Sequence, residues 1–289
     1  MSKILITGGA GSFGRQLASI LHEKGHLLKI FDLESCNYSF YKDWVNTFIL
    51  PGDITQASSI KNAVKEVDMV FHLAAILPPA SEIDKKRTFR VNVEGTRILL
   101  DVLGNIPKTP DIIFTSSVSV YGDTSKEGQL IGQDHRINPN DWYAESKAEA
   151  EQMLFSSNLP YVNLRISGVV IPAFLDPPDP WAFQEDQKIE LICLTDLTSA
   201  MASLVGNSNA IGKNFILAGG KSWQVKGKDY VQRWGEIMEI PYEEMNFPRQ
   251  PGWLNWYDTD ESQRLLNYQK TSIEDFYVQL SAAVKEALM

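Results

Sequence analysis

The chain has 289 residues, 44% of them hydrophobic and 22% charged, with 36 acidic against 27 basic side chains for a formal charge of −9. That is enough to bury a full core, as one large domain or one domain with an appendage. The basic residues are scattered instead of forming a stripe, which argues against nucleic acid as a partner, and no run approaches 18 uninterrupted apolar residues, which argues against a membrane span.

The first strand-like run, KILIT, starts at residue 3 with no apolar signal segment before it, so a cytoplasmic protein is expected. It opens into ITGGAGSFGRQLASIL, a glycine turn entering an amphipathic helix. Gly8, Gly11 and Gly14 suit a tight turn, a close approach of backbone N–H groups to a pyrophosphate, and close packing of helix on sheet. A glycine triplet alone says little, but this one stands at the first strand–helix junction. Asp32 ends the second strand 18 residues after Gly14. An acid there can accept from the adenosine ribose hydroxyls, and Leu33 and Glu34 offer no cation for a 2′-phosphate, so NAD is the expected cofactor. Cys36, Cys193 and the four histidines (His22, His26, His72, His135) show no pairing or ligand spacing, so neither a disulfide framework nor a metal is expected.

Further apolar runs follow at TFIL, MVFHLA, DIIFTSS and YVNLRIS, each trailed by a segment of helical period. The alternation predicts an α/β fold, a doubly wound parallel sheet (Rossmann) with helices on both faces. After about residue 166 the rhythm weakens. IPAFLDPPDPWAF carries four prolines in 13 residues and is expected as an ordered loop. KIELI, DLTSAMASLVG and NFILAGG then resume the strand–helix pattern, before a tail holding Trp223, Trp234, Trp253 and Trp256, expected in core and lid packing. The dinucleotide-binding core is assigned to residues 1–170, continued by 188–220. A small, mostly C-terminal substrate-binding region takes 171–187 and 221–289.

DWYAESK, residues 141–147, places a phenol four residues ahead of an ammonium in helix-favouring sequence. Tyr143 and Lys147 would share a helix face, where a cation can stabilise a phenolate and make a general acid/base. The same spacing recurs at Tyr38 and Lys42, so context has to choose between them.

Taken with GDI (52–54), HLAA (72–75), VNVEGT (91–96), TSSVSVYG (115–122) and YAESK (143–147), the glycine turn resembles the extended short-chain dehydrogenase/reductase family, the NAD-dependent epimerase/dehydratase group. The resemblance is strong over about residues 3–170 and fainter beyond. It implies that Ser117 hydrogen-bonds the reacting oxygen, Tyr143 moves the proton, and Lys147 holds the nicotinamide ribose and lowers the tyrosine pKa. Tyr143 stands 26 residues past Ser117, whereas Tyr38 has no companion serine, so Tyr38 and Lys42 are the coincidental pair. The same resemblance implies cofactor contacts from Ser12 and Phe13 in the turn, from Asp53 and Ile54 at the adenine, and from Leu73, Ala74 and Ala75 beside the adenosine and pyrophosphate. Thr115 and Asn92 join this set, Asn92 having the alternative of a plain helix polar residue. His72 is expected to be a packed, hydrogen-bonded strand residue, and Asp196 an N-cap of the helix that follows it. A homodimer through helices near 82–103 and 142–157 is also implied.

Two departures narrow the function. Val118 and Ser119 stand where dehydratases of the group carry Asp-Glu, which argues against a 4,6-dehydratase. Only 30 residues separate Arg165 from Asp196, with Lys188 the single basic one, so a nucleoside diphosphate finds little grip there. The leading expectation is an NAD-dependent oxidoreductase that transfers a hydride at a secondary alcohol or ketone of a small polar, sugar-like or sugar-acid substrate. The alternatives are a redox-neutral nucleotide-sugar epimerase with retained NAD and a non-catalytic dinucleotide sensor.

Overall fold

The structure, a computed structural model, describes residues Met1–Met289. Strands and helices alternate as β1 (Lys3–Thr7), α1 (Ser12–Glu23), β2 (Leu27–Asp32), β3 (Thr47–Pro51), α2 (Ala57–Ala63), β4 (Met69–His72), α3 (Lys85–Phe89), α4 (Gly95–Gly104), β5 (Asp111–Ser117), α5 (Trp142–Ser156) and β6 (Tyr161–Ile166). They continue as β7 (Gly168–Val170), β8 (Lys188–Ile189), β9 (Leu191–Cys193), α6 (Leu194–Ala202), β10 (Lys213–Leu217), β11 (Val225–Lys226), α7 (Gly227–Met238), α8 (Asp260–Leu266) and α9 (Ile273–Leu288).

The main sheet has seven strands in the order β3-β2-β1-β4-β5-β6-β10. Its pairs β3–β2, β2–β1, β1–β4 and β4–β5 are parallel, in keeping with the apolar runs of the central strands. Strand order reverses between β1 and β4. In such sheets, ligands bind beyond the strand ends at that reversal.

The chain forms two compact units. The first comprises Met1–Val120, Pro139–Arg165 and Thr198–Phe215. Its core sets Leu5, Val70 and Ile112 of the strands against Leu99, Leu103 and Leu154 of the helices. The second comprises Tyr121–Asn138, Ile166–Leu197 and Ile216–Met289, with Trp181, Trp223, Tyr230, Trp234 and Phe276 in its core. Trp223 and Trp234 are thus packing residues, as expected, while Trp253 and Trp256 are half-buried. The proline-rich stretch carries no regular element between Val170 and Lys188.

Two expectations fail in the second unit. KIELI is not one strand but two, β8 and β9, in different small sheets. The break falls at Glu190, whose fully buried carboxylate accepts from Gly220 N (2.8 Å), Tyr257 N (2.9 Å) and Gln224 Nε2 (3.0 Å). Asp196 is not an N-cap. It lies inside the first turn of α6, and its carboxylate accepts from Lys270 N, Thr271 N and Thr271 Oγ1, each at 2.9 Å. Those donors come from 74 and 75 residues away, beyond the reach of any local capping rule. No helix is long and apolar enough to cross a membrane.

Candidate active site

A cleft of about 300 Å³ opens at the strand-order reversal. The glycine turn forms its floor. At Gly8, with φ +71°, a Cβ would come within 2.8 Å of Ala74 N, and at Gly14 a Cβ would meet the Gly8 carbonyl at 2.6 Å, so neither position accepts a side chain. The first-turn amides of α1 have no intrahelical acceptors, no side chain caps them, and no acid lies in that turn. With Ser12, Phe13 and Gly14 lining the cleft, α1 presents unspent N–H donors and the positive end of its dipole there. This arrangement fits a dinucleotide diphosphate, and a bulkier turn would not.

Asp32 lies at the end of β2, where its Oδ2 accepts from Ala10 N (3.0 Å) and its Oδ1 from Leu33 N (2.8 Å). Asp53 Oδ1 accepts from the amide and hydroxyl of Thr55, each at 2.8 Å. Both carboxylates are thereby fixed at the cleft margin, next to Ile54.

The wall formed by Leu73, Ala74 and Ala75 is held from beneath by a chain of hydrogen bonds. Ala74 N donates to Thr7 Oγ1 (3.3 Å), which lies 2.8 Å from His72 Nδ1; His72 Nε2 lies 2.9 Å from Thr96 Oγ1, whose hydroxyl donates to Asn92 O (2.6 Å). Because the single Thr96 proton goes to Asn92, His72 donates through Nε2 and accepts at Nδ1, the neutral form. Burial, with the Lys147 charge adding to it, lowers its pKa to about 3. His72 is therefore a packed, satisfied residue, as its position in an apolar strand suggested.

The Asn92 side chain accepts from Ile76 N (2.7 Å) and donates to Ile76 O (3.1 Å) and to Ser146 Oγ (3.0 Å). Its amide is spent on protein partners, and Asn92 is not among the residues lining the cleft. It joins the cleft wall to α5 instead.

The β4–β5 pairing ends at His72↔Phe114, and β5 carries on through Thr115 to Ser117. Thr115 Oγ1 donates to His72 O at 2.9 Å, so Thr115 braces the wall and is not among the residues lining the cleft. Ser117 Oγ accepts from Ser119 N at 3.1 Å, and its hydroxyl favours the charged form of the neighbouring Tyr143 phenol. Tyr143 stands in the first turn of α5, whose start is doubly held. Asp141 caps it by accepting from Ala144 N (2.6 Å), and the Glu82 carboxylate accepts from Trp142 N (3.1 Å) and Tyr143 N (3.0 Å). Further along, Glu151 of α5 receives the Arg165 guanidinium at 3.0 and 2.7 Å in a buried bidentate pair, fixing the helix to β6.

Lys147, one turn past Tyr143, is 3% exposed and donates to the Thr115 carbonyl at 2.7 Å, with its Nζ 5.8 Å from the tyrosine ring centre. Burial lowers its pKa to about 8, against the raising influence of Glu151. The phenol of Tyr143 lies above its ordinary range, chiefly through burial and then through the Asp141 charge, with Ser117 opposing. Tyr38, by contrast, precedes a 3-10 turn over Ser39–Tyr41, shares no helix with Lys42, and donates to the Leu33 carbonyl at 3.0 Å.

Of the sequence-predicted positions, Gly8, Gly11, Ser12, Phe13, Gly14 and Asp32 line the cleft, as do Asp53, Ile54, Leu73, Ala74 and Ala75. Ser117, Tyr143 and Lys147 are brought together beside it. Sequence reasoning missed Leu77, Arg87 and Val91 in the lining and Glu82 behind Tyr143. Val91 opens the VNVEGT motif and so carried a signal, whereas Arg87 was hidden in the charged run KKRTFR.

The model of the NAD dependent epimerase/dehydratase family matches residues 4–178, more than half of the chain. The chain belongs to that family. Among curated relatives of this family member, D-erythronate dehydrogenase of Cupriavidus necator is 33% identical over 163 residues, covering 52% of this chain and 49% of the relative. A 3 beta-hydroxysteroid dehydrogenase/Delta 5→4-isomerase of Mycobacterium tuberculosis is 34% identical over 168 residues, 55% of this chain and 43% of its own. The chain thus spans about half the length of the curated relatives it matches. Among solved structures, a short-chain dehydrogenase/reductase superfamily protein from Agrobacterium tumefaciens with bound NAD superposes with TM-score 0.83 at 20% identity, covering 99% of this chain and 98% of that one. UDP-glucuronic acid 4-epimerase from Bacillus cereus gives TM-score 0.82 at 21% identity, with 99% of each chain covered. At such identities the likeness is one of fold.

Proposed function

We propose that this protein is an NAD-dependent oxidoreductase that transfers a hydride at a secondary alcohol or ketone of a small polar, sugar-like or sugar-acid substrate. The observation that carries this reading is the Ser117–Tyr143–Lys147 cluster beside an uncapped glycine turn. The glycine turn and the first-turn amides of α1 would hold the dinucleotide diphosphate, and Asp32 the adenosine ribose. When bound, the nicotinamide supplies the hydride acceptor or donor. The Ser117 hydroxyl positions the reacting oxygen, Tyr143 takes or returns its proton, and the Lys147 ammonium stabilises the phenolate that forms meanwhile. The likeness to an erythronate dehydrogenase supports a sugar-acid substrate.

The test is to give the purified protein excess NAD and a panel of small polyols, sugars and sugar acids, and to follow the reduced-nicotinamide absorbance. A steady rise with one class of substrate is expected. Purification with tightly retained NAD, and interconversion of nucleotide sugars without that rise, would replace this reading with a redox-neutral epimerase. Absence of turnover in both assays, with NAD bound, would leave a dinucleotide sensor. We further propose a homodimer built on the helices near 82–103 and 142–157, a symmetric pairing in which the same faces meet.

A further inference from the structure

The charges around the cleft are unevenly committed. Its two carboxylates, Asp32 and Asp53, are engaged by backbone and hydroxyl donors. Arg87 is the one cation in the lining. Its backbone N–H donates to Asp84 Oδ1 at 3.0 Å, the N-cap of α3, which fixes where the side chain starts. Its guanidinium has no acidic or hydrogen-bonding partner within the protein, although Lys85, two residues earlier, is paired with Glu145 at 2.7 Å. A free, fully charged fork thus lines the same cleft as the unspent amides of α1, in a chain whose net charge is −9.

We infer that Arg87 is the ion-pair partner of the dinucleotide's diphosphate, closing on it from α3 while the amides of α1 hold it from the turn. This rests on the dinucleotide reading of the cleft and names a residue that the glycine turn does not imply. The physical case is one of balance. Two acids at the margin repel an entering diphosphate, the helix terminus offers only partial charge, and a guanidinium matches phosphate oxygens with two parallel N–H donors. Leu77 and Val91 line the same cleft as Arg87.

The experiment is calorimetric titration of wild type, Arg87→Gln and Arg87→Lys with NAD, ADP and, at millimolar concentration, adenosine, each at low and high salt. Arg87→Gln should lose about tenfold in affinity for NAD and ADP and nothing for adenosine, the size expected for one charge-assisted contact. Arg87→Lys should recover part of the loss, and the salt dependence of ADP binding should be shallower in Arg87→Gln than in wild type. Unchanged ADP and NAD affinity in Arg87→Gln would overturn the assignment, as would an equal loss for adenosine, which would make Arg87 a packing residue on the base. Wild-type protein that bound neither NAD nor ADP would overturn the dinucleotide reading itself, an outcome distinct from a variant that binds as wild type does.

Discussion

The Lys147 ammonium, one helical turn past Tyr143, donates to the Thr115 carbonyl at 2.7 Å and stands 5.8 Å from the centre of the tyrosine ring. It does not bond the phenol. Burial favours the protonated phenol and pulls the Lys147 pKa down to about 8. Both shifts disfavour charge in the same buried space. In the mechanism proposed above, the phenolic proton moves only when a substrate oxygen is there to receive it.

Replacing Tyr143 by Phe removes the proposed proton carrier without touching a residue that lines the cleft. Turnover should fall by about 100-fold or more, with NAD affinity and unfolding temperature close to wild type. Tyr38→Phe loses only its bond to the Leu33 carbonyl and should be nearly silent. Steady-state kinetics on both variants decides the matter, since equal behaviour would mean the wrong tyrosine was chosen.

Asp32 should set cofactor preference. A 2′-phosphate within about 5 Å of its carboxylate is a like-charge contact costing several kcal/mol before screening. Calorimetry with NAD and NADP should show the former bound at least about tenfold more tightly, and equal affinities would remove Asp32 from this role.

Stability should depend on His72 in acid. Its ordinary pKa of 6.5 is lowered to about 3 on folding, so between these values the unfolded chain binds more protons than the folded one. Stability must then fall as the pH drops from 6.5 towards 3. His72→Gln should unfold at a lower temperature at neutral pH but with a shallower decline across that window. Parallel curves for the two proteins would assign the acid sensitivity to other groups.

Glu82 is a positioning residue for Tyr143, because its carboxylate accepts from the Trp142 and Tyr143 amides. Glu82→Ala frees that end of α5, and Asp141 alone then caps it. Turnover should fall by about tenfold with NAD affinity unchanged, and Glu82→Gln, which keeps an acceptor oxygen, should recover part of the loss. A change confined to cofactor affinity would show that Glu82 serves the cleft instead.

The proposed homodimer predicts twice the chain mass of 32.5 kDa by light scattering at micromolar concentration. A 32.5 kDa particle there would refute it.

The sheet and the glycine turn were legible in the sequence because both are local. Apolar runs such as KILIT and DIIFTSS mark strands buried on both faces, and a turn that brings Gly8 and Gly14 against backbone has to be written as glycine. Asp32 stood out by its place at the end of the second strand, whereas Ser117, Tyr143 and Lys147 were singled out only through the family resemblance carried by several ordered motifs, because spacing alone did not separate Tyr143 and Lys147 from Tyr38 and Lys42. What tertiary structure decided are the partners brought in from afar. Asp196 looked like a cap and proved to be an anchor for residues 270 and 271. Asn92 looked free for a cofactor and is spent on Ile76 and Ser146. Arg87 was one charge in a charged run until folding placed it in the cleft. A hydrogen bond or an ion pair is satisfied within about 3 Å, a distance that folding closes without regard to separation along the chain, so the use of a polar side chain is settled only when its neighbours arrive.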